Sequence, residues 1–236
     1  MLTIDVAGLH IGIDNRYPYL ERQCRDYLGS KTPDFTVSAT EAQLDEELRF
    51  GAHSRGYLES ICVYREIARR LPDYGAFVMH AAVVEKDGVA YAFTAPSGTG
   101  KTTHLRLWLE QFPQAVTLNG DKPILRRMSR GFCACGTPWT GREKLGCNRI
   151  APLGGICFLH RGEENKIRPV QGGQMLQEMM RQVYLPHQEE LIDRLFPLLD
   201  ELMTTVPLFT MECNMEPQAA QMSCTAMERV TAGAGT

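Results

Sequence analysis

No stretch of this chain is apolar for long enough to span a bilayer as a helix. A basic tract is missing too: 25 Lys and Arg stand against 28 Asp and Glu, a formal net charge of −3. Such a balance gives neither a nucleic-acid backbone nor an anionic membrane surface a patch to grip, so neither is expected as a partner. The opening residues Met1-Leu2-Thr3-Ile4-Asp5 carry no basic n-region and no cleavage signal. Zinc spacing is absent as well. Eight cysteines occur, but Cys133-x-Cys135 is the one tight pair, and Cys147 and Cys157 do not supply a second. Without secretory features around them, they are expected as free thiols of a cytoplasmic protein, packed on strand faces. Internal repeats and low-complexity segments are also lacking. With 236 residues, 44% hydrophobic and 22% charged, the chain suits one sizeable domain, or a main domain with a small extension.

What is present centres on Ala95-Pro96-Ser97-Gly98-Thr99-Gly100-Lys101-Thr102-Thr103. It lies between an apolar run, 89–94, and a helical pattern, 103–111. Glycines in such a turn let successive N–H groups and the positive end of a helix dipole converge on an anion. Lys101 adds a point charge for β- and γ-phosphates, and the Thr102 hydroxyl suits a Mg²⁺ shell. Ser97, Gly98, Thr99, Gly100, Lys101, Thr102 and Thr103 are therefore the expected binding residues for a nucleoside triphosphate with Mg²⁺, with no motif that separates ATP from GTP. The P-loop pattern G-x-x-x-x-G-K-[ST] is met except at its first glycine, which is Ala95 here.

Around this motif the pattern predicts strands at 2–7, 9–13 and 34–37. Ser38 and Glu41 have capping-box spacing before a helix through Leu48. A clearer helix is expected over 57–70, with Leu58, Ile61, Cys62, Ile67 and Leu71 on one stripe. Residues 75–84 read as one apolar β-run that turns at Lys86-Asp87-Gly88 into 89–94. That hairpin makes the sheet mixed rather than purely parallel. Further strands are expected at 115–118, 124–127, 132–136, 153–159 and 208–213. Helices are expected at 174–184, at 189–203 with a kink or break at Pro197, and from Pro217 to about 230. The domain reading is an N-terminal α+β extension over 1–75, as a separate lobe or as extra strands of the same sheet. A P-loop domain follows over 76–230, and then a disordered tail over 231–236.

Three further features carry chemistry. Asp121, just past the strand that follows the phosphate-loop helix, sits where an acid would hold Mg²⁺ or take a proton from a hydroxyl. The other reading is an ordinary turn aspartate in Asn119-Gly120-Asp121. His80 lies in an apolar run, where a histidine is either a satisfied core residue or a catalytic one, and His104 reads as structural. The loop around Trp139 combines Gly136, Pro138 and Gly141 with Arg142, Glu143 and Lys144. Arg142 or Lys144 there suits a cation that offsets charge on a transferred phosphoryl group, with Trp139 stacked on a base or substrate. The competing reading is a solvated turn with one packed tryptophan.

The order His80-Ala81-Ala82, Ser97-Gly98-Thr99-Gly100-Lys101-Thr102-Thr103, Asn119-Gly120-Asp121-Lys122-Pro123, Gly136-Thr137-Pro138-Trp139 and Asn165-x-Ile167 resembles the HPr serine kinase/phosphorylase family in a compact form. The resemblance covers roughly 77–230. It implies a mixed-sheet α/β P-loop fold of the phosphoenolpyruvate carboxykinase and HPr kinase type, and an ATP- and Mg²⁺-dependent kinase acting on a hydroxyl of a protein, peptide or small molecule. In that frame His80 lies near the phosphates, Lys101 and Thr102 are the Walker lysine and the magnesium hydroxyl, and Asp121 is the acid that follows the next strand. The family carries two adjacent aspartates where this chain has Gly120-Asp121, and a glycine-rich phosphorylase signature is absent. The resemblance therefore does not extend to HPr as substrate or to phosphorolysis. It leaves a homo-oligomer open. The alternatives are a non-catalytic nucleotide-dependent binding module and a simple NTP hydrolase.

Overall fold

In a computed structural model of the chain, residues 1–186 and 188–233 are described. They form a mixed α/β fold on two sheets. The smaller sheet contains β1 (Leu2–Val6), β2 (Leu9–Asp14) and β3 (Phe35–Ser38), in that order. Strands β1 and β2 make an antiparallel hairpin with Ile4 opposite Ile11. Strand β3 runs parallel to β2, so the chain must cross over, and it does so through α1 (Pro18–Gln23), which the sequence pattern had not marked. Ser38 pairs with Asp14 in the ladder, so it does not cap the next helix. Thr40 does, in a capping box with Gln43 rather than the expected Ser38–Glu41 pair, and α2 covers Glu41–Glu47. Helix α3 (Arg55–Arg70) begins at Ser54, whose hydroxyl accepts from the Tyr57 amide. Its apolar stripe buries Leu58, Cys62, Val63 and Ile67 against Ile4, Ile11 and Ile13 of the small sheet. The same core takes in Val78, Ile124, Cys135 and Trp139 from the rest of the chain.

The larger sheet is mixed and curled. Its nine strands are β4 (Ala76–Val78), β5 (Ala81–Lys86), β6 (Val89–Thr94), β7 (Val116–Asn119), β8 (Ile124–Met128), β9 (Gly131–Cys135), β10 (Ile150–Arg161), β11 (Lys166–Val170) and β12 (Leu208–Cys213). The path is β4-β8-β9-β10-β6-β5-β7, with β12 beside β10 and β11 beside β12. The long strand β10 makes the curl. Its first residues pair antiparallel with β9, and later ones run parallel to β6 and β12, with an irregularity between Leu153 and Gly155. One face is covered by α4 (Lys101–Gln111) and α7 (Pro217–Gly233), which enclose Phe93, Trp108, Phe209 and Met227. The other is covered by α5 (Gly172–Gln182) and α6 (Glu189–Thr205), which enclose Phe77, Phe158, Met179 and Leu199.

Several expectations need correction. The apolar run 75–84 is two strands with different neighbours: β4 pairs with β8, and β5 with β6 and β7. The break falls at Met79-His80, whose amides donate outside the ladder, to Pro123 O and Gln182 O. Helix α6 continues through Pro197 with no break in its assigned span. Strand β11 escaped notice because it alternates half-buried and exposed residues with little apolar content. The expected tail over 231–236 also shifts. Residues 231–233 belong to α7, and 234–236 lie outside the described residues.

Candidate functional site

Strand β6 delivers the chain to residues 96–100, which connect it to α4. Gly98 and Gly100 have φ of 80° and 130°, a region that L side chains rarely enter, although a Cβ at either would meet nothing within 4 Å. Backbone conformation, not space, demands these glycines. Ala95, in place of the motif's first glycine, stays out of that region, so its methyl is accommodated and packs in the core. Gly100 caps α4 with no side-chain bond. The first amides of the helix, those of Lys101, Thr102 and Thr103, have no intrahelical acceptor and lie at the positive end of the helix dipole, where an anion is favoured. Ser97 and Gly98 are exposed and Thr99 half-buried. The Thr102 and Thr103 side chains are half-buried and their hydroxyls have no partner among the described residues. Lys101 is 7% exposed, and its Nζ donates to Ala95 O at 2.8 Å. Burial lowers its pKa, the Asp121 charge raises it, and the Lys122 charge lowers it further. A bound polyphosphate would offset that burial.

Strand β5 is antiparallel to β6 with Ala81 opposite Thr94, so His80, one residue before β5, lies at the edge where β6 enters the loop. The Thr94 hydroxyl donates to His80 O at 2.9 Å. Strand β7 lies on the far side of β5, with Asn119 opposite Val83, and brings Asp121 to the same edge. His80 Nε2 and Asp121 Oδ1 are 3.3 Å apart, and Lys122 Nζ is 3.3 Å from Asp121 Oδ2. Burial pushes the Asp121 carboxyl up, but the His80 hydrogen bond and the Lys122 charge outweigh it and hold the group below its ordinary value. Asp121 is thus an ionised carboxylate within the field of Lys101. The other His80 nitrogen, Nδ1, faces Gln182 Oε1 at 3.1 Å, and His80 N donates to Gln182 O at 2.6 Å. Gln182, the last residue of α5 and 6% exposed, was not singled out from sequence, because it lies a hundred residues downstream in an unremarkable helix.

The turn that carries Asp121 is made by buried polar side chains. Asn119 Oδ1 accepts from the amides of Asp121 at 2.8 Å and Lys122 at 2.7 Å. Asn119 Nδ2 donates to Thr137 O at 3.1 Å and to Thr137 Oγ1 at 2.9 Å. The Thr137 hydroxyl donates in turn to Lys122 O at 2.8 Å. Gly141, with φ of 75°, packs so closely that an added Cβ would lie 2.9 Å from Asp121 Cβ. Gly120 donates to Leu145 O at 2.9 Å, and a Cβ there would press to 3.3 Å on Leu145 O and Thr140 O.

The Trp139 ring is packed inward, as in the reading of a turn with one packed tryptophan. It is 8% exposed, stacks on Tyr64 at 4.5 Å between centroids, and donates from Nε1 to Ser60 Oγ at 2.9 Å. Both partners are on α3, and the Tyr64 hydroxyl also donates to Lys122 O at 3.1 Å. The loop therefore plugs the N-terminal core onto the Asp121 turn. Arg142 and Lys144 are exposed on the same loop, and Arg142 has no partner among the described residues. His104 is buried inside α4 and donates to Ser223, a structural position.

The edge also has a second flank. Arg161, at the end of β10, donates from Nη2 to Gly98 O at 2.5 Å and from Nε to Thr99 O at 3.4 Å. Between them lies an open cleft of about 410 Å³, lined by residues 96–99 and by Leu159, His160 and Arg161. It lies where ligands of open parallel strands ordinarily sit, at their carboxyl ends. Among the described residues no group of three or more His, Cys, Asp and Glu side chains could hold a metal ion unaided. Mg²⁺ bound along with phosphates needs only one or two protein ligands, and the unpartnered Thr102 hydroxyl and the ionised Asp121 fit that use.

No protein-family model matches the chain, and no curated protein matches it. Among solved structures it is similar to the Hpr(Ser) kinase/phosphatase from Coxiella burnetii, with 11% sequence identity, 64% of this chain and 98% of that chain covered, and a TM-score of 0.38. A likeness at that level leaves the geometry of the site to carry the function. No helix among the described residues is long and apolar enough to cross a membrane.

Proposed function

We propose that the chain is an ATP- and Mg²⁺-dependent phosphotransferase of HPr kinase-like fold, acting on a hydroxyl of a protein, peptide or small molecule. Residues 76–230 carry the reaction, and 1–75 buttress it. One observation supports this above the others: a glycine-shaped phosphate loop with its buried lysine meets an ionised carboxylate–histidine pair at the same edge of the sheet. Magnesium–nucleoside triphosphate, when bound, supplies the transferable phosphoryl group. The first amides of α4 and Lys101 Nζ would hold the phosphates, and Thr102 and Asp121 would hold the metal. Asp121 accepts the proton of the incoming hydroxyl. A carboxylate below its ordinary pKa is a weak base, which is sufficient where the transition state is loose and positioning dominates. His80 holds Asp121 in place from Nε2, and Gln182 holds His80 from the opposite side.

The test is transfer of label from γ-labelled ATP with Mg²⁺ to a panel of serine peptides, small alcohols and cell-lysate acceptors. The wild-type chain labels an acceptor, whereas Asp121→Asn binds nucleotide with similar affinity and labels none. Undiminished labelling by Asp121→Asn would remove the carboxylate from the mechanism. A second reading is favoured by the pairing of both Asp121 oxygens, one to His80 and one to Lys122. A carboxylate so held can serve as a fixed anion in a nucleotide-dependent binding module. Tight binding with no transfer and no phosphate release identifies that module, and phosphate release without an acceptor identifies a hydrolase.

A further inference from the structure

The phosphate loop is flanked unequally. On the β5–β7 side stand His80 and Asp121, within reach of whatever group reacts. On the β10 side stands the cleft of about 410 Å³, with no carboxylate among its lining residues. Its wall at Arg161 is ordered in a particular way. The guanidinium spends two donors on the outward carbonyls of Gly98 and Thr99, which fixes a planar cation beside the loop at the mouth of the cleft. Arginine planes of this kind stack on aromatic rings, and a lysine cannot substitute, because its ammonium has no plane. His160, the preceding residue of β10, turns to the other face of the sheet and lies 3.6 Å from Glu178 Oε2 of α5.

We infer that this cleft is the nucleoside subsite, in which the base of the bound nucleoside triphosphate stacks on Arg161, so that the phosphate chain runs from β10 across the loop and presents its terminal group toward Asp121. The inference rests on the phosphate-loop reading and adds to it the direction of the nucleotide and the residue that takes the base. It also assigns the cation beside the loop to Arg161, on a strand end, and leaves Arg142 on its exposed loop.

Calorimetry with Mg²⁺ and three probes separates the two claims: inorganic tripolyphosphate, ATP and GTP. The wild-type chain should bind at least one nucleotide about tenfold more tightly than tripolyphosphate, an increment typical of one base on a stacking partner. In Arg161→Gln and in Arg161→Lys that increment should vanish, with tripolyphosphate affinity kept within a few-fold by the lysine variant. If the wild-type chain binds tripolyphosphate and nucleotides equally, or if Arg161→Lys retains the full increment, the nucleoside subsite is wrong and the phosphate loop stands. If Arg161→Lys weakens all three probes by the same factor, Arg161 acts on the loop alone and the subsite is again wrong. Binding of none of the probes by the wild-type chain overturns the phosphate-loop reading itself.

Discussion

Residues 96–100 and the turn after β7 lie at one edge of the sheet, yet they hold their shapes by different means. The phosphate loop leaves Pro96, Ser97 and Gly98 exposed, and its form comes from two glycines at positive φ and the helix that follows. The Asp121 turn is held from inside by Asn119 and Thr137, both 0% exposed, and is braced by Tyr64 of α3, on which the loop residue Trp139 packs. A loop shaped by its own backbone can be rebuilt around a ligand. A turn shaped by a buried hydrogen-bond network holds one carboxylate in one place, and each member removed leaves its partners unsatisfied. The shape of the loop is thus locally encoded, and that of the Asp121 turn depends on tertiary contacts.

The sharpest way to break this contrast is Lys101→Met. Loss of the charge should weaken MgATP binding by about a hundredfold or more, as removal of one partner of a buried charged contact does. The nucleotide-free fold should keep its melting temperature or gain a little, because the buried ammonium has one carbonyl acceptor and its charge is disfavoured by burial. Calorimetry and a thermal melt on the same variant read both effects. Asn119→Ala should do the reverse. It orphans the amides of Asp121 and Lys122 and takes a donor away from Thr137, and should cost about 3 kcal/mol of stability in a urea titration. In the protein that remains folded, transfer should fall more than nucleotide affinity.

The helix behind the loop adds a pH test of similar size. Trp108 Nε1 and His104 Nε2 both donate to Ser223 Oγ, whose hydroxyl donates to Ala220 O. His104 Nδ1 is therefore the unprotonated nitrogen, and it is buried without a partner. Burial lowers the His104 pKa from 6.5 to about 4. Above pH 6.5 the imidazole is neutral in both folded and unfolded chains and contributes no pH dependence. As pH falls from 6.5 toward 4, the unfolded chain takes up a proton that the folded chain refuses. Stability should drop by about 3 kcal/mol over that window. His104→Gln should remove this part of the acid slope in a pH series of urea titrations, and an unchanged slope would place the acid sensitivity elsewhere. The smallest effect belongs to Gly98→Ala. Its Cβ meets no atom, so the cost is left-handed backbone strain alone, about 1 kcal/mol in a thermal melt.

Much of this architecture is legible in the amino-acid order. The phosphate loop, the β5–β6 hairpin and the apolar stripe of α3 all follow from neighbouring residues, because glycine placement, strand alternation and helical spacing act over a few positions. Asp121 was singled out by its distance from the loop, but what holds it was not. Gln182, Arg161 and the Asn119–Thr137 network come from separate strands and helices, and no local pattern ties them together. Trp139 shows the limit most clearly: glycines, charges and a large aromatic on one loop suggest a ligand contact, and the fold turns the ring inward onto Tyr64.

By itself, then, the sequence determined that a glycine turn followed by a lysine would form between a buried strand and a helix, since two glycines at fixed spacing settle that conformation locally. Only the tertiary structure decided which carboxylate, imidazole, amide and guanidinium would face that turn. Those choices depend on how a curled sheet brings the ends of β5, β7 and β10 to one edge, and backbone pairing between distant segments is a property of the whole chain.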